Sequence, residues 1–582
     1  MTVLSLLKKR WVFAKPEPDA VQHLADHLRI SPLTATLLVN RAITDAEEGR
    51  VFLDADLEGT HDPYLMRGMD KAVKRILTAI ENDEGITIFG DYDVDGVTST
   101  ALMHHFFHEL GIRFDHYLPE RMEEGYGVNE NALDEIKARG NKLVITADCG
   151  ITAVKQVAYA RSIGLDVIVT DHHQVPEEGL PDAVAVLNPF QPDCPYPFKF
   201  LSGVGIVFKL AVAIRRALRD AGWSADRLPN LKKHLDLFTL GTIADMAPLT
   251  GENHVLTHNG LEALRTTEKP GLVALKHVAG IDGKVDAFSI GFGLAPRLNA
   301  AGRLGRADSG LDLLVTHDQG EARRIAEQLD QINEQRKHTQ HGVQEEAEYL
   351  IEREVDLEKE KVLVLASENF HQGVIGIVAS KLADKYYRPT FLIAIRDGMG
   401  KGSARSIPTF NLYKALAQCS EHLTQYGGHA YAAGLNIEAG RIDDFRRAIN
   451  EVGAPYLTDD RMVSELKIDS TLNLQDIGMD VYREMQKLGP FGQVNTLPVF
   501  CSRRIRIRDF REIGRDRTHV RFRATQGKAA MNVVGFRLAE TFRYLDPDTL
   551  IDIAYELQVN AWNGREKVEL KLLDVKPSDP AD

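Results

Sequence analysis

The pattern of apolar and polar positions divides the 582-residue chain into stretches of different period. Up to about residue 60 the chain reads as short helices, with a helix start at Ser31-Pro32, because proline fits the first helical turn. From about residue 84 the pattern changes. ITIF (86–89), LVITA (143–147), VIVT (167–170) and VAVL (184–187) are continuous apolar runs. Helix-like segments, Val97–Leu110 and Thr152–Ile163, lie between the first three. Strands apolar on both faces and separated by helices predict an α/β unit with a largely parallel sheet.

Residues 317–360 carry 13 acidic and 6 basic residues and no proline. Ile325, Leu329 and Ile332 recur at spacings of four and three, which predicts one long helix with a single apolar stripe joining two lobes. Beyond it, KVLVLA (361–366) and TFLIAI (390–395) are strand-like, and Gly373–Lys385 between them is helical. From about 456 strand-like runs dominate, with one helical stretch at Val481–Leu488. Phe500–Ile507, His519–Arg523, Met531–Phe536, Ile551–Val559 and Lys567–Leu573 predict a small β-barrel.

Charge refines this picture. Seventy basic against 84 acidic residues give a net charge of −14, so any nucleic-acid contact must use a local basic surface. Residues 501–530 provide one, with ten basic against three acidic residues. In RRIRIRDFR, alternation on a strand would put Arg504, Arg506 and Arg508 on one face, as a groove following a phosphate backbone requires. The four cysteines never approach a C-x-x-C spacing, which argues against a disulfide scaffold or a zinc ribbon and points to a reducing cytoplasm. The opening MTVLSLLKKRW has its basic residues after the apolar run, the wrong order for a secretory signal. No apolar stretch of about 18 residues suggests a membrane span. No Walker A sequence suggests ATP use. Gly203-Val-Gly205 lacks a third glycine at dinucleotide-binding spacing and is expected only to shape a helix start.

The chemistry concentrates in GDYDVDG. Asp91, Asp93 and Asp95 alternate before Gly96, and three carboxylates this close repel one another unless a cation neutralises them. An EF-hand loop would need a bidentate glutamate where Leu102 stands and a helix where a strand precedes, so that reading fails. The next two strands end in Asp148 and in Asp171-His172-His173, and Asp245 follows the helical run Leu235–Ala244. A single aspartate at a strand end is ordinarily a helix cap. Several together with a histidine and no thiolate suit hard divalent ions, Mn²⁺ or Mg²⁺, and are numerous enough for two. Two adjacent ions suit phosphate-ester hydrolysis.

GDYDVDG (90–96), ADCG (147–150), TDHH (170–173), GTIADMAPL (241–249), APRLNAAGRLG (295–305), GKGSARS (400–406) and YGGHAYAAG (426–434) resemble the motifs of the DHH phosphoesterase superfamily and, within it, the RecJ family. FHQGVIGIVASKL (370–382) and YLPERMEEGYGVN (117–129) extend the resemblance. It implies a helical extension (1–60), an α/β parallel-sheet DHH catalytic domain (61–316), a connector helix (317–360), a second α/β, DHH-associated domain (361–455) and an OB-fold barrel (456–582). It implies that Asp91, Asp93, Asp95, Asp148, His172 and Asp245 hold two Mn²⁺ ions, Mg²⁺ being the alternative, with Asp148 bridging. Asp171 would orient the histidines, and His173 would donate to the scissile phosphate. Arg121, Arg297, Asn299, Arg303, Ser403, Arg405, Ser406, Gly428 and His429 would contact substrate, with Arg121, Ser403 and Arg405 recognising a terminal 5′-phosphate. The implied activity is 5′-to-3′ hydrolysis of single-stranded DNA in repair and recombination. Single-strand-binding protein and a helicase are the implied partners. The rivals are a DHH phosphodiesterase for short oligonucleotides or cyclic dinucleotides, and an inactive DNA-binding scaffold.

Overall fold

The computed structural model describes residues 4–119, 127–177, 179–304, 308–543, 545, 549–562 and 565–579. It divides into two compact units, one of Glu17–Asn333 with Glu484–Leu497, the other of Met1–Pro16, Glu334–Arg483 and Pro498–Asp582.

The first unit is built on a parallel sheet whose strands run in the order Phe114–Tyr117, Gly85–Gly90, Asn141–Ala147, Asp166–Thr170 and Ala185–Leu187. The apolar runs are continuous because both faces are covered. Ile86, Ile88, Leu143, Ile145 and Ile168 enter one core beneath helices Met69–Glu81, Val94–Leu110 and Gly203–Asp220. Phe89, Val144, Val167 and Val169 enter the opposite core beneath Glu130–Ala138 and Val154–Ser162. The edge strand Phe114–Tyr117 is half-buried and reads FDHY, which is why no apolar run announced it. The expected helix start is present: Ser31 caps Pro32–Val39, its Oγ accepting from the Thr34 amide at 3.2 Å.

One expectation fails in the first 60 residues. Arg10–Phe13 is a strand, not part of a helix, and pairs in parallel with Glu465–Ile468. Trp11 is buried there and its indole donates to Asp574 Oδ2 at 2.8 Å. A four-residue strand whose partner lies about 450 residues away leaves no local pattern to read.

The long helix is Gln319–Glu354, and the division between the units falls within it. Ile325 and Leu329 pack into the first unit's core, while Val343, Ala347 and Ile351 pack under the second unit's sheet. That sheet runs Gln425–Gly428, Ala432–Glu438, Met399–Arg405, Thr390–Arg396, Leu363–Ser367. Only the last two strands pair in parallel, so the region is a mixed sheet. The barrel strands are Phe500–Ile513, His519–Gln526, Ala529–Gly535, Ile551–Trp562 and Arg565–Pro577. Pairing of the first with the fourth closes the ring around Phe500, Phe522 and Tyr555.

Candidate metal centre and nucleic-acid interface

Because the strands are parallel, Asp91, Asp148 and the Asp171-His172-His173 run all emerge at one edge of the sheet. Asp93 caps helix Val94–Leu110, accepting from the Asp95 and Gly96 amides at 2.9 and 3.1 Å. The cap and the metal reading coexist, since Asp91, Asp93 and Asp148 offer ligand atoms within 4.8 Å of one another. Asp95 is buried and accepts from the Gly203 and Val204 amides at 2.7 and 2.9 Å, at the N-terminus of helix Gly203–Asp220. Gly203 is required there: a Cβ would overlap the Asp148 carboxylate. The Gly-Val-Gly segment therefore does more than shape a helix, a role its spacing gave no sign of.

Two further clusters of the same tightness are Asp95–His172–Asp245 and Asp148–His172–His173. His172 Nε2 lies 3.2 Å from Asp148 Oδ1 and 3.9 Å from both Asp95 Oδ2 and Asp245 Oδ2. Asp148 itself sits at φ +69°, a conformation an aspartate tolerates better than most residues. Asp171 is held by the Ile151 amide at 2.8 Å and holds His173, whose Nδ1 is 2.7 Å from Asp171 Oδ1. The structure thus turns Asp171 onto His173.

The electrostatics are those of a cation site. Burial, then the neighbouring Asp93 charge, pushes Asp95 up to about 7. Burial with the charges of Asp95 and Asp93 pushes Asp245 up to about 8 and raises Asp148 well above the carboxylate range. Burial, then His173, lowers His172 to about 4, which keeps its imidazole neutral as ligation requires. For His173 burial opposes protonation, but the Asp171 bond and charge outweigh it and raise the value to about 9. Burial alone would raise Asp171; its bonds to His173 and to the Ile151 amide instead hold it low.

The donor set fits divalent ions. Among the described residues, Asp148 Oδ1 and His172 Nε2 are buried without a hydrogen-bond partner although they face each other, a costly arrangement that a shared cation would satisfy. Oxygen donors with one neutral imidazole suit Mn²⁺ or Mg²⁺.

Comparison with known proteins agrees with this geometry. Residues 85–242 match the model of the DHH family N-terminal domain, 359–453 the DHHA1 domain and 468–574 the RecJ OB domain. The single-stranded-DNA-specific exonuclease RecJ of Bacillus subtilis is 40% identical over 576 residues, covering 98% of this chain and 71% of that protein. The Escherichia coli protein of the same name is 35% identical, covering 98% and 100%. The chain belongs to the RecJ family. The crystal structure of Thermus thermophilus RecJ with Mn²⁺ superposes with a TM-score of 0.83 at 29% identity, over 98% of this chain and 80% of that one. The same protein has also been solved with Mg²⁺, with a TM-score of 0.77.

In this RecJ-family chain the remaining expected residues belong to different elements. Arg121 lies outside the described residues, as does the Arg303 side chain. Arg297 is buried and tied to Asp330 Oδ1 at 2.8 Å, Gly293 O at 2.7 Å and Val278 O at 3.2 Å, so it fastens the chain around it. Asn299 is half-buried on the same helix, Ala295–Leu304. In the second unit Arg405 Nη1 donates to Ser403 Oγ at 3.3 Å and to Ala404 O at 2.8 Å. Among the described residues no carboxylate pairs with it, and burial lowers its value. A Cβ on Gly376, at the start of helix Ile375–Tyr386, would sit 3.0 Å from Ser403 Oγ and 3.3 Å from Arg405 Nη2. A hydroxyl, a guanidinium and a helix N-terminus thus converge as an anion would need. Ser406 instead donates to Phe410 O at 2.6 Å, shaping the turn. Gly428, at φ +131° and against Ala432 O, permits the tight turn that exposes His429.

On the barrel the alternating arginines lie beside two irregularities of the first strand. Register shifts fall between Ser502 and Ile505 and between Arg508 and Arg511, and Arg504 sits at φ +55° in the first. Arg504, Arg506 and Arg508 are all exposed, with Ile505 buried and Ile507 half-buried between them. The shifts set Arg508 opposite Arg523 and Arg511 opposite Arg521. A cavity of about 510 Å³ opens there, lined by Phe510, Arg511, Arg521, Phe522, Arg523, Asn532 and Asp509. The charge count held these residues, but only the bulge brings them together.

Proposed function

We propose that this chain is a divalent-metal-dependent exonuclease specific for single-stranded DNA, working from the 5′ end. The observation that carries the reading is the trio of ligand clusters at one sheet edge, with Asp148 Oδ1 and His172 Nε2 buried and unpartnered between them. One ion would take Asp91, Asp93 and Asp148, the other Asp95, His172 and Asp245, with Asp148 bridging. Bound there, such ions supply Lewis acidity toward a phosphodiester and ease water ionisation near neutral pH. The protein's own groups do the rest. Asp171 fixes the His173 ring and favours its imidazolium, a cation suited to a phosphate oxygen. The Gly203 and Val204 amides fix Asp95. Ser403 and Arg405 would hold a terminal 5′-phosphate, and the barrel's arginine-lined cavity would hold the strand beyond it. Domain limits of 61–316, 361–455 and 456–582 belong to the same proposal.

Family membership supports this substrate class, since the named relatives are single-stranded-DNA-specific exonucleases. Work in DNA repair and recombination in the cytoplasm, beside single-strand-binding protein and a helicase, follows the same resemblance. Among the described residues no helix is long and apolar enough to cross a membrane. The test is digestion of single strands labelled at either end, with Mn²⁺, beside a duplex and a cyclic dinucleotide. Nucleotides should leave from the 5′ end of the single strand. Release from the 3′ end, or faster cleavage of the cyclic dinucleotide, would overturn the reading.

A further inference from the structure

Asp95 and Asp245 share one ligand cluster but come from different helices, and like charges this close push apart unless the fold resists. Asp95 lies in the first turn of helix Val94–Leu110. Asp245 follows helix Leu235–Ala244, its amide donating to Gly241 O at 2.9 Å. Two contacts hold these helices together beside the carboxylates. A Cβ on Gly241 would lie 2.2 Å from Thr98 Oγ1 and 3.0 Å from Asp95 Oδ1, so the helices meet there with no side chain between them. The second contact is a hydrogen bond between the hydroxyls of Ser202 and Thr242, 2.8 Å long and fully buried.

That bond lies on the shortest route between the supports of the two carboxylates. Ser202 caps helix Gly203–Asp220, its Oγ accepting from the Gly205 amide at 3.3 Å, and the two residues after it supply the amides that hold Asp95. Thr242 stands three residues before Asp245, and its carbonyl accepts from the Ala247 amide at 3.1 Å. The direction of its side chain is informative. A threonine within a helix commonly turns its hydroxyl back to its own backbone. Thr98 and Thr100 do so, donating to Val94 O at 2.7 Å and to Gly96 O at 2.8 Å. Thr239, on the same helix as Thr242, is buried with its hydroxyl unpartnered among the described residues. Thr242 instead reaches the cap of another helix. Two buried hydroxyls that meet this way fix the separation of two backbones, because neither finds water to replace the bond.

We propose that Ser202 and Thr242 are positioning residues that lock Asp95 and Asp245 at the separation one divalent ion requires. This rests on the proposed two-ion reading and deepens it, because the lock serves one ion and not the other. It acts on the cluster of Asp95, His172 and Asp245, whereas Asp93, in the cluster with Asp91 and Asp148, is fixed by its own helix cap. Ligands oriented by such outer contacts hold a metal more tightly, since less ordering remains to be done on binding.

The test is calorimetric titration of Mn²⁺ into the metal-free full-length protein, with kcat and KM on single-stranded DNA measured alongside. Wild type should bind two ions. Thr242→Val keeps the shape and the Ser202 cap, and should weaken one ion on the order of ten- to a hundredfold and the other far less. Its kcat should fall at limiting Mn²⁺ and recover as Mn²⁺ is raised, with KM for DNA unchanged. Ser202→Ala breaks the same bond from the other side and should weaken the same ion. Thr242→Ser retains the hydroxyl and should bind both ions as wild type does. Thr239→Val removes a hydroxyl from the same helix and should change neither affinity. Unchanged affinities in Thr242→Val would overturn the lock, as would equal weakening of both ions. So would a loss in Thr242→Ser or Thr239→Val as large as that in Thr242→Val. A wild type that binds fewer than two Mn²⁺ ions would instead overturn the two-ion reading, and the lock with it.

Discussion

At the carboxyl edge of the parallel sheet, aspartates crowd into a largely buried pocket, whereas on the barrel Arg508 and Arg511 stand opposite Arg523 and Arg521 on two paired strands. Both arrangements put like charges side by side, and they differ in what surrounds them. In the pocket Asp91, Asp95 and Asp148 are buried and the repulsion is strong, so Asp95, Asp148 and Asp245 all hold protons more tightly than ordinary carboxyls. Helix amides and a neutral imidazole relieve part of this, and a small, dense, fixed counter-charge would relieve the rest. On the barrel, water and salt screen the arginines. Glu569 takes Arg521 at 2.9 Å, while Asp509 approaches Arg523 only at 3.9 Å. Such a face awaits a diffuse, mobile counter-charge such as a phosphate backbone. Burial thus separates a site that needs its ligand for its chemistry from one that only holds a strand.

The largest effect should come from the buried side. Asp148→Asn keeps the shape and tolerates φ +69°, but removes a charge both ion positions would share. Hydrolysis should fall on the order of a thousandfold or more, since a bound cation contributes several kcal/mol to the barrier. The metal-free variant should melt higher than metal-free wild type, each kcal/mol of relieved repulsion raising the midpoint by roughly 2–4 °C. Kinetics, metal content and calorimetry check this together. Near wild-type turnover with unchanged metal content would end the two-ion reading and, with it, the contrast between pocket and barrel.

Arg405 lies between the two cases, half-buried yet cationic like the barrel. Arg405→Ala should remove most of the preference for 5′-phosphoryl over 5′-hydroxyl ends, a factor on the order of 10–150 for one charge-assisted bond. The ratio of kcat/KM on the two substrates measures it. A ratio left at the wild-type value would put end recognition elsewhere.

On the exposed side, effects should be modest and salt-dependent. Replacing Arg511 and Arg523 together by alanine should flatten the slope of log affinity against log salt by about 1.4, or roughly 0.7 for each phosphate of a single strand that is no longer neutralised. Anisotropy titrations between low and moderate salt would show it. An identical slope would mean that the barrel cavity does not bind the backbone.

A last effect concerns acid and stability rather than activity. Burial lowers His105 to about 3, and burial with the charge of His258, opposed by bonds to backbone, leaves His254 at about 4; both lie in the metal-bearing unit. Because the unfolded chain takes up protons near pH 6.5 and the folded one does not, stability is complete above 6.5. It should fall by about 1.4 kcal/mol per pH unit per histidine as pH drops toward 4. His105→Gln keeps a donor for Leu314 O, which His105 Nε2 meets at 2.9 Å, and should make the acid slope of the melting temperature shallower.

The parallel sheet was legible because its strands are apolar on both faces, and the long helix because its stripe is interrupted by charge on every other side. The polar edge strand Phe114–Tyr117 and the strand Arg10–Phe13 were not, since one lacks an apolar run and the other has its partner at Glu465–Ile468. At the metal centre, clustering of Asp91, Asp93 and Asp95 was evident from repulsion alone. What fixes Asp95 was hidden, because the Gly203 and Val204 amides lie 108 and 109 residues away.

The sequence by itself determined where strands end, which residue types stand at those ends, and that carboxylates without thiolates favour hard cations. These are local properties, set by side-chain chemistry and the strand and helix periods. Only the tertiary structure decided that Asp148 and His172 face each other unpartnered, that Arg297 fastens a turn, and that the barrel arginines meet in opposed pairs. Each of those depends on which distant backbone arrives alongside, and on bulges and left-handed residues that break the local period.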